Sequence, residues 1–175
     1  MNQNENPALS PLLALGILAA VIAILLIFIG FVALTGVTEV WAGFLFLLYW
    51  GGIHKLNMEE YAPAFIGALF GLVLIYLAHH LGELVGSPDL GLPLFLALIC
   101  VLVYFQILGK LHLFNNLAAM LFLTVGTIPQ LTDISVVEIG KGIAASALYF
   151  GALGWVGAKL AAKKQAASEK LTKEK

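Results

Sequence analysis

Arginine is missing from this sequence of 175 residues, and cysteine occurs once, at Cys100. Without arginine the chain has no guanidinium to grip phosphates, which argues against a nucleic-acid partner. A lone thiol inside an apolar run forms no internal disulfide, and packing is its expected role. Charge of either sign is scarce, at 11% of the residues, so no stretch is polar enough for a separate soluble domain. The patterns HExxH and GxSxG, a phosphate-binding glycine loop and a pair of carboxylates within one apolar stretch are all lacking. The expectation is therefore a protein that is not an enzyme and holds neither cofactor nor metal. The lack of a carboxylate at mid-depth also argues against a strongly proton-coupled pump.

What fills the sequence is apolar: 61% of the residues are hydrophobic and the mean hydropathy is +1.00. Six apolar segments stand out, at about 11–34, 38–53, 61–81, 90–109, 116–129 and 136–161. A helix rises about 1.5 Å per residue and a hydrocarbon core is roughly 30 Å thick, so the second and fifth segments fall short of a full crossing. Tyr49-Trp50-Gly51-Gly52 and Gly126-Thr127-Ile128-Pro129 interrupt these two. The expected fold is all-α, a polytopic membrane protein of six transmembrane helices. It divides into a polar N-terminus (1–10), a membrane domain (11–162, with possible halves 11–85 and 86–162) and a basic tail (163–175). The N-terminus lacks the basic start of a secretory signal, so the first segment is expected to be a retained span.

Charge sets the topology. Lys55, Lys110 and the tail lysines fall on one side of six spans, and Glu39, Glu83, Asp89 and Asp133 on the other. With four spans and two re-entrant loops, Lys55 and Lys110 would face away from the tail. The positive-inside rule selects six spans with both termini cytoplasmic.

The order long, short, long occurs twice, and a shift of 75 residues lays Gly16 on Gly91, Gly51 on Gly126, Gly67 on Gly142 and Gly82 on Gly157. The GxxxG pair Gly67 and Gly71 then falls on Gly142 and Ser146. Three spans per half is an odd number, so the halves would run in opposite directions, as in the inverted repeats of many transporters.

A helix too short for the bilayer leaves backbone carbonyls to be satisfied by protein or by a watery cavity. Tyr49, Trp50, Gly51 and Gly52 of the second segment, with Thr124, Gly126 and Thr127 of the fifth, are accordingly the candidate lining of a solute pathway. The plainer alternative makes the aromatics an interfacial belt and the glycines helix ends. Lys141 lies well inside the last segment with Glu138 one turn away, and together with Glu39 they are candidates for an outer vestibule. A lysine snorkelling beside Glu138 is the competing account. His79, His80 and Glu83 cluster where the third segment emerges, but two ligands at an exposed helix end do not close a metal site. Gly67, Gly71, Gly142, Ser146, Gly151, Gly154 and Gly157 give small faces for helix packing, within one chain or between copies in a homo-oligomer.

Trp41-Ala42-Gly43-Phe44 entering a short span, followed by an aromatic and Gly51-Gly52, resembles the small bacterial inner-membrane proteins grouped as domain of unknown function 1097. Phe114 to Thr127, a short apolar segment before a glycine-rich last span and a lysine-bearing tail, is similar as well. The stretch Ile53 to Glu60 departs from that pattern in its charge. The resemblance implies a multi-pass protein of the bacterial inner membrane and carries over no site. The functional expectation is a channel or facilitator for a small neutral or weakly polar solute, in contact with the lipid bilayer. The alternative is a non-transporting assembly or regulatory subunit of a membrane complex.

Overall fold

The computed structural model describes residues 10–128, 131 and 134–173, and every regular element among them is helical. The long helices are α1 (Pro11–Thr35), α3 (Tyr61–Leu84), α4 (Pro88–Ile107) and α6 (Val136–Lys173); α2 (Val40–Leu47) and α5 (Leu117–Gly126) are short. A π-helix, Leu48–Ile53, continues α2, and a 3-10 turn, Met58–Glu60, leads into α3. Pro129 and Asp133, used above to bound the fifth segment and to mark one membrane face, lie outside the described residues.

Four segments are long and apolar enough to cross a membrane: Pro11–Thr35, Met58–Leu84, Pro88–Ile107 and Val136–Lys163. The 10 residues of α5 reach about 15 Å, and Val40–Ile53 also stays short of the roughly 30 Å core. The architecture is that of a helical membrane protein with four candidate spans and two shorter apolar helices. α6 continues through the basic stretch after residue 162 to Lys173, as its run of Ala, Lys, Gln and Glu favours.

Met1–Gly36 and Val37–Lys175 are separate units. In the first, α1 begins at Ser10, whose hydroxyl accepts from the Leu13 N–H, with Pro11 at the first helical position. It ends at Gly36 in the left-handed region, whose N–H donates to the Val32 carbonyl.

In the second unit α3 is central, packing on α4, α5 and α6, while α2 packs on α6. The α3–α4 corner is tight. After Val85, Gly86 takes φ 73° and donates to Glu83, and Ser87 donates to Gly82, a complete Schellman motif. Beyond it Gly91 meets Gly82 so closely that a Cβ on Gly91 would stand 2.8 Å from the Gly82 Cα.

Small residues set two further approaches. Gly67 of α3 lies against the side chain of Asn116, the N-cap of α5, and a Cβ on Gly71 would stand 2.8 Å from the Ala119 carbonyl. Gly142 of α6 lies against the backbone carbonyl of Glu39, the N-cap of α2, and the Ser146 hydroxyl donates to the Gly43 carbonyl at 2.7 Å. Each long helix thus presents a small pair at i and i+4 to the first turn of a short helix. Burial follows the same register: Ala64, Gly67, Ala68, Gly71, Leu72 and Ile75 are buried on α3, and Ile139, Gly142, Ile143, Ser146, Ala147 and Phe150 on α6.

Candidate functional site

The predicted interruption at Tyr49 to Gly52 is helical, with wider turns. In the π-helix the Tyr49 carbonyl accepts from the His54 N–H at 3.4 Å and the Trp50 carbonyl from the Leu56 N–H at 3.1 Å. These two carbonyls are satisfied within the protein, so they do not need a watery cavity. Lys55 and Leu56, at φ 51° and 59°, turn the chain out of the helix. Trp50 has no exposed surface; it packs against Tyr61 with ring centroids 5.0 Å apart and donates from Nε1 to the Asn57 carbonyl at 2.8 Å. A Cβ on Gly154 would stand 2.6 Å from the Trp50 ring, so α6 needs glycine where the indole crosses it. Tyr61 ties the same corner to α6 by donating to the Ala147 carbonyl at 2.9 Å.

The remaining pathway candidates are dispersed. Tyr49 is buried, Gly51 is half-buried between Leu47 and Leu56, and Gly52 is exposed. Gly126 is buried against the Ile75 side chain. Thr124 donates to the Met120 carbonyl, and Thr127 to those of Leu123 and Thr124, so both hydroxyls bond back onto their own helix. Tyr49 to Gly52 lie in the π-helix that continues α2, and Thr124 to Thr127 close α5.

Of the vestibule candidates, Lys141 pairs with Glu138 at 2.6 Å, and Glu39 accepts from Trp41 Nε1 at 2.6 Å and from the Thr38 hydroxyl at 3.2 Å. Glu39 nevertheless comes near that pair, because Gly142, the neighbour of Lys141, touches its carbonyl. His80, rather than His79, approaches Glu83, at 3.5 Å, and Cys100 is exposed on α4. The small residues Gly67, Gly71, Gly142, Gly151 and Gly154 pack within the chain, whereas Gly157 has open space around it.

A cavity of about 270 Å³ lies between the π-helix that continues α2, the end of α4 and the start of α5. The π-helix and its end supply Tyr49, Ile53 and His54; the end of α4 supplies Gln106, Gly109 and Lys110; the approach to α5 supplies His112, Asn115, Asn116 and Leu117. A second Schellman motif fixes the α4 end: Gly109, at φ 64°, donates to Gln106, and Lys110 donates to Phe105. Within the cavity His54 Nε2 lies 3.0 Å from the Tyr49 hydroxyl, with Glu60 3.9 Å behind His54 Nδ1.

Asn115 and Asn116 are adjacent polar residues of this lining that the apolar patterning of the sequence does not mark. Asn116 is saturated: Oδ1 accepts from the Ala118 and Ala119 N–H groups, and Nδ2 donates to the Pro63 and His112 carbonyls at 2.8 and 3.0 Å. Asn115 is 1% exposed and donates from Nδ2 to the Leu102 carbonyl at 2.6 Å, leaving Oδ1 buried without a partner among the described residues. Since Leu102 offers a carbonyl, the amide orientation is fixed and the orphan is an acceptor. Two adjacent asparagines just before an apolar run were the available signal, because asparagine is a preferred N-cap. Another cavity, of about 610 Å³, lies between the end of α3 and the start of α6, lined by Ile75, Tyr76, His79, His80, Ser135 and Val136 among others.

Comparison with protein-family models, with curated proteins and with solved structures finds no match to this chain.

Proposed function

We propose that this chain is a six-span facilitator for a small neutral or weakly polar solute in a bacterial inner membrane. It is built as two inverted three-helix repeats with both termini cytoplasmic. The observation that carries this reading is the crossed placement of the short helices: α2 packs on α6, α5 packs on α3, and the π-helix that continues α2 lines one cavity with the start of α5. Two short helices, each lodged on the long helix of the other half, make the arrangement in which inverted repeats build a binding site between halves. The matched burial of α3 and α6 and the two N-caps seated on Gly67 and Gly142 support the repeat. The amides and the Tyr49 hydroxyl in the lining suit a solute that exchanges hydrogen bonds with the wall. The resemblance to the domain of unknown function 1097 group accords with the membrane and with the small size.

One observation favours the second reading, a non-transporting subunit. Trp50 is sealed against Gly154 and Tyr61, and Gly126 against Ile75, so the ends of both short helices are packed solid. Stopped-flow swelling of proteoliposomes with a panel of small neutral solutes separates the two. Entry faster than into protein-free vesicles supports the facilitator; its absence across the panel transfers the assignment to the subunit.

A further inference from the structure

Two matched corners of the second unit are filled unequally. Along α6 room is made at Gly151 and Gly154, and rings take it: a Cβ on Gly151 would stand 2.7 Å from the Tyr61 hydroxyl, and one on Gly154 2.6 Å from the Trp50 indole. In the repeat proposed above, the 75-residue shift carries Gly151 and Gly154 onto Tyr76 and His79 of α3, and Tyr61 onto Val136 of α6. All three of these counterparts line the cavity of about 610 Å³. The counterpart of Trp50 is Val125, or Thr127 in the register of the short-helix caps, and neither brings a ring to fill the space. One corner is plugged by the chain's own indole, while its mate stands open.

We infer that the open corner is a binding site for a neutral, planar aromatic solute the size of indole that carries one N–H or O–H. The inference rests on the inverted repeat of the facilitator reading and names the class of its solute. The volume falls within the range of small-molecule sites, about 300–1,000 Å³. Ile75, Ile134 and Val137 give apolar wall, and Tyr76 with His80, ring centroids 4.5 Å apart, gives an aromatic surface on which a flat ring can stack. The imidazoles of His79 and His80 and the Ser135 hydroxyl are the hydrogen-bonding side chains of the wall, and a neutral imidazole or a hydroxyl accepts from a single donor. The plugged corner meets the same need within the chain, where Trp50 Nε1 donates to the Asn57 carbonyl. Neither a carboxylate nor a lysine is among the lining residues, so a charged solute would lack a counter-ion there.

Equilibrium dialysis of proteoliposomes against labelled indole, with uptake by protein-free vesicles subtracted, tests it. A single site displaceable by unlabelled indole is expected on the full chain. Indane, which keeps the bicyclic shape and lacks the N–H, should displace the label about fivefold less well, the scale of one hydrogen bond. Tyr76→Leu with His80→Leu removes the stacking surface and should weaken indole binding about fivefold, the scale of an aromatic pair. His79→Trp supplies from the wall the ring that the corner lacks and should abolish displaceable binding. These positions are exposed or half-buried, and unchanged unfolding temperatures confirm that the variants fold. No displaceable indole in the parent, displacement by indane as good as by indole, or parent affinity in both variants overturns the inference. Displaceable binding in a protein that fails the swelling assay keeps the site and makes it a ligand site of the subunit; solute entry without displaceable indole keeps the facilitator and removes the site.

Discussion

Gly67 and Asn116 share one space: a single carbon added to Gly67 would run into the Asn116 amide, which is holding hydrogen bonds to Pro63, His112, Leu113, Ala118 and Ala119. The cap can neither withdraw without freeing the first N–H groups of α5 nor stay beside an alanine. Gly67→Ala is therefore expected to cost about 1–3 kcal/mol, the scale of overpacking. Gly142→Ala should cost at least as much, because it meets the backbone carbonyl of Glu39, which has no rotamer to change. Gly157→Ala, with open space around it, is the control and should be neutral or slightly stabilising through helix propensity. Thermal unfolding in detergent reads all three. If the first two unfold with the control, the helix approach is looser than described.

Because the clash and the cap belong to one pair, the two positions should couple. Asn116→Ala alone is expected to cost about 1–2 kcal/mol as a lost N-cap. In the double variant Gly67→Ala with Asn116→Ala the overpacking is relieved, and the total should fall below the sum of the single costs by about 1 kcal/mol or more. Strict additivity in a thermal or denaturant cycle would place the strain of Gly67→Ala elsewhere.

The long helices were plain in the hydropathy, and the 75-residue shift matched Gly67 with Gly142 because both sit on the buried stripe of a long helix. The short helices did not follow that shift. Their N-caps, Glu39 and Asn116, are 77 positions apart, so the cap contacts of the two halves lie two residues out of the register of the long helices. Gly51 and Gly126, paired by the shift, accordingly differ: Gly51 is half-buried between two leucines and Gly126 is buried under Ile75. Nor was the π-helix legible. Gly51-Gly52 reads as a helix break, and only the wider turns that carry Trp50 into α6 give it another use. The cavity was not legible because its lining comes from the π-helix, the end of α4 and the approach to α5, which no spacing along the sequence brings together.

The proposed topology rests on the lysine distribution and is open to direct test. Cysteines placed at Asp89, in the first turn of α4, and at Lys110, just past its end, probe the two ends of that helix in a Cys100→Ala background. Both parent side chains are exposed. An impermeant thiol reagent should reach position 89 from outside the cell and position 110 from inside. Labelling of both from one face would remove α4 as a crossing and the six-span order with it.

Passage of a solute, where it occurs, should depend on the ends of the short helices, and the two ends call for different probes. A Cβ on Gly51 would meet only the terminal methyls of Leu47 and Leu56, at 3.3 Å, and these can rotate aside. Gly51→Val is therefore expected to leave folding largely intact while narrowing the approach beside Tyr49, lowering solute entry in stopped-flow swelling. Gly126→Val is a poorer probe than its sequence position suggests, since its Cβ would run into the buried side chain of Ile75 and lower stability as well as flux. Thr127→Val is the cleaner choice at that end. Among the described residues the Thr127 hydroxyl bonds only to carbonyls of its own helix, and threonine and valine differ little in volume. If a passing solute exchanges a hydrogen bond with Thr127, the variant should slow entry with unfolding temperature unchanged. Flux in the parent that both Gly51→Val and Thr127→Val preserve would keep transport and take the short-helix ends out of its path.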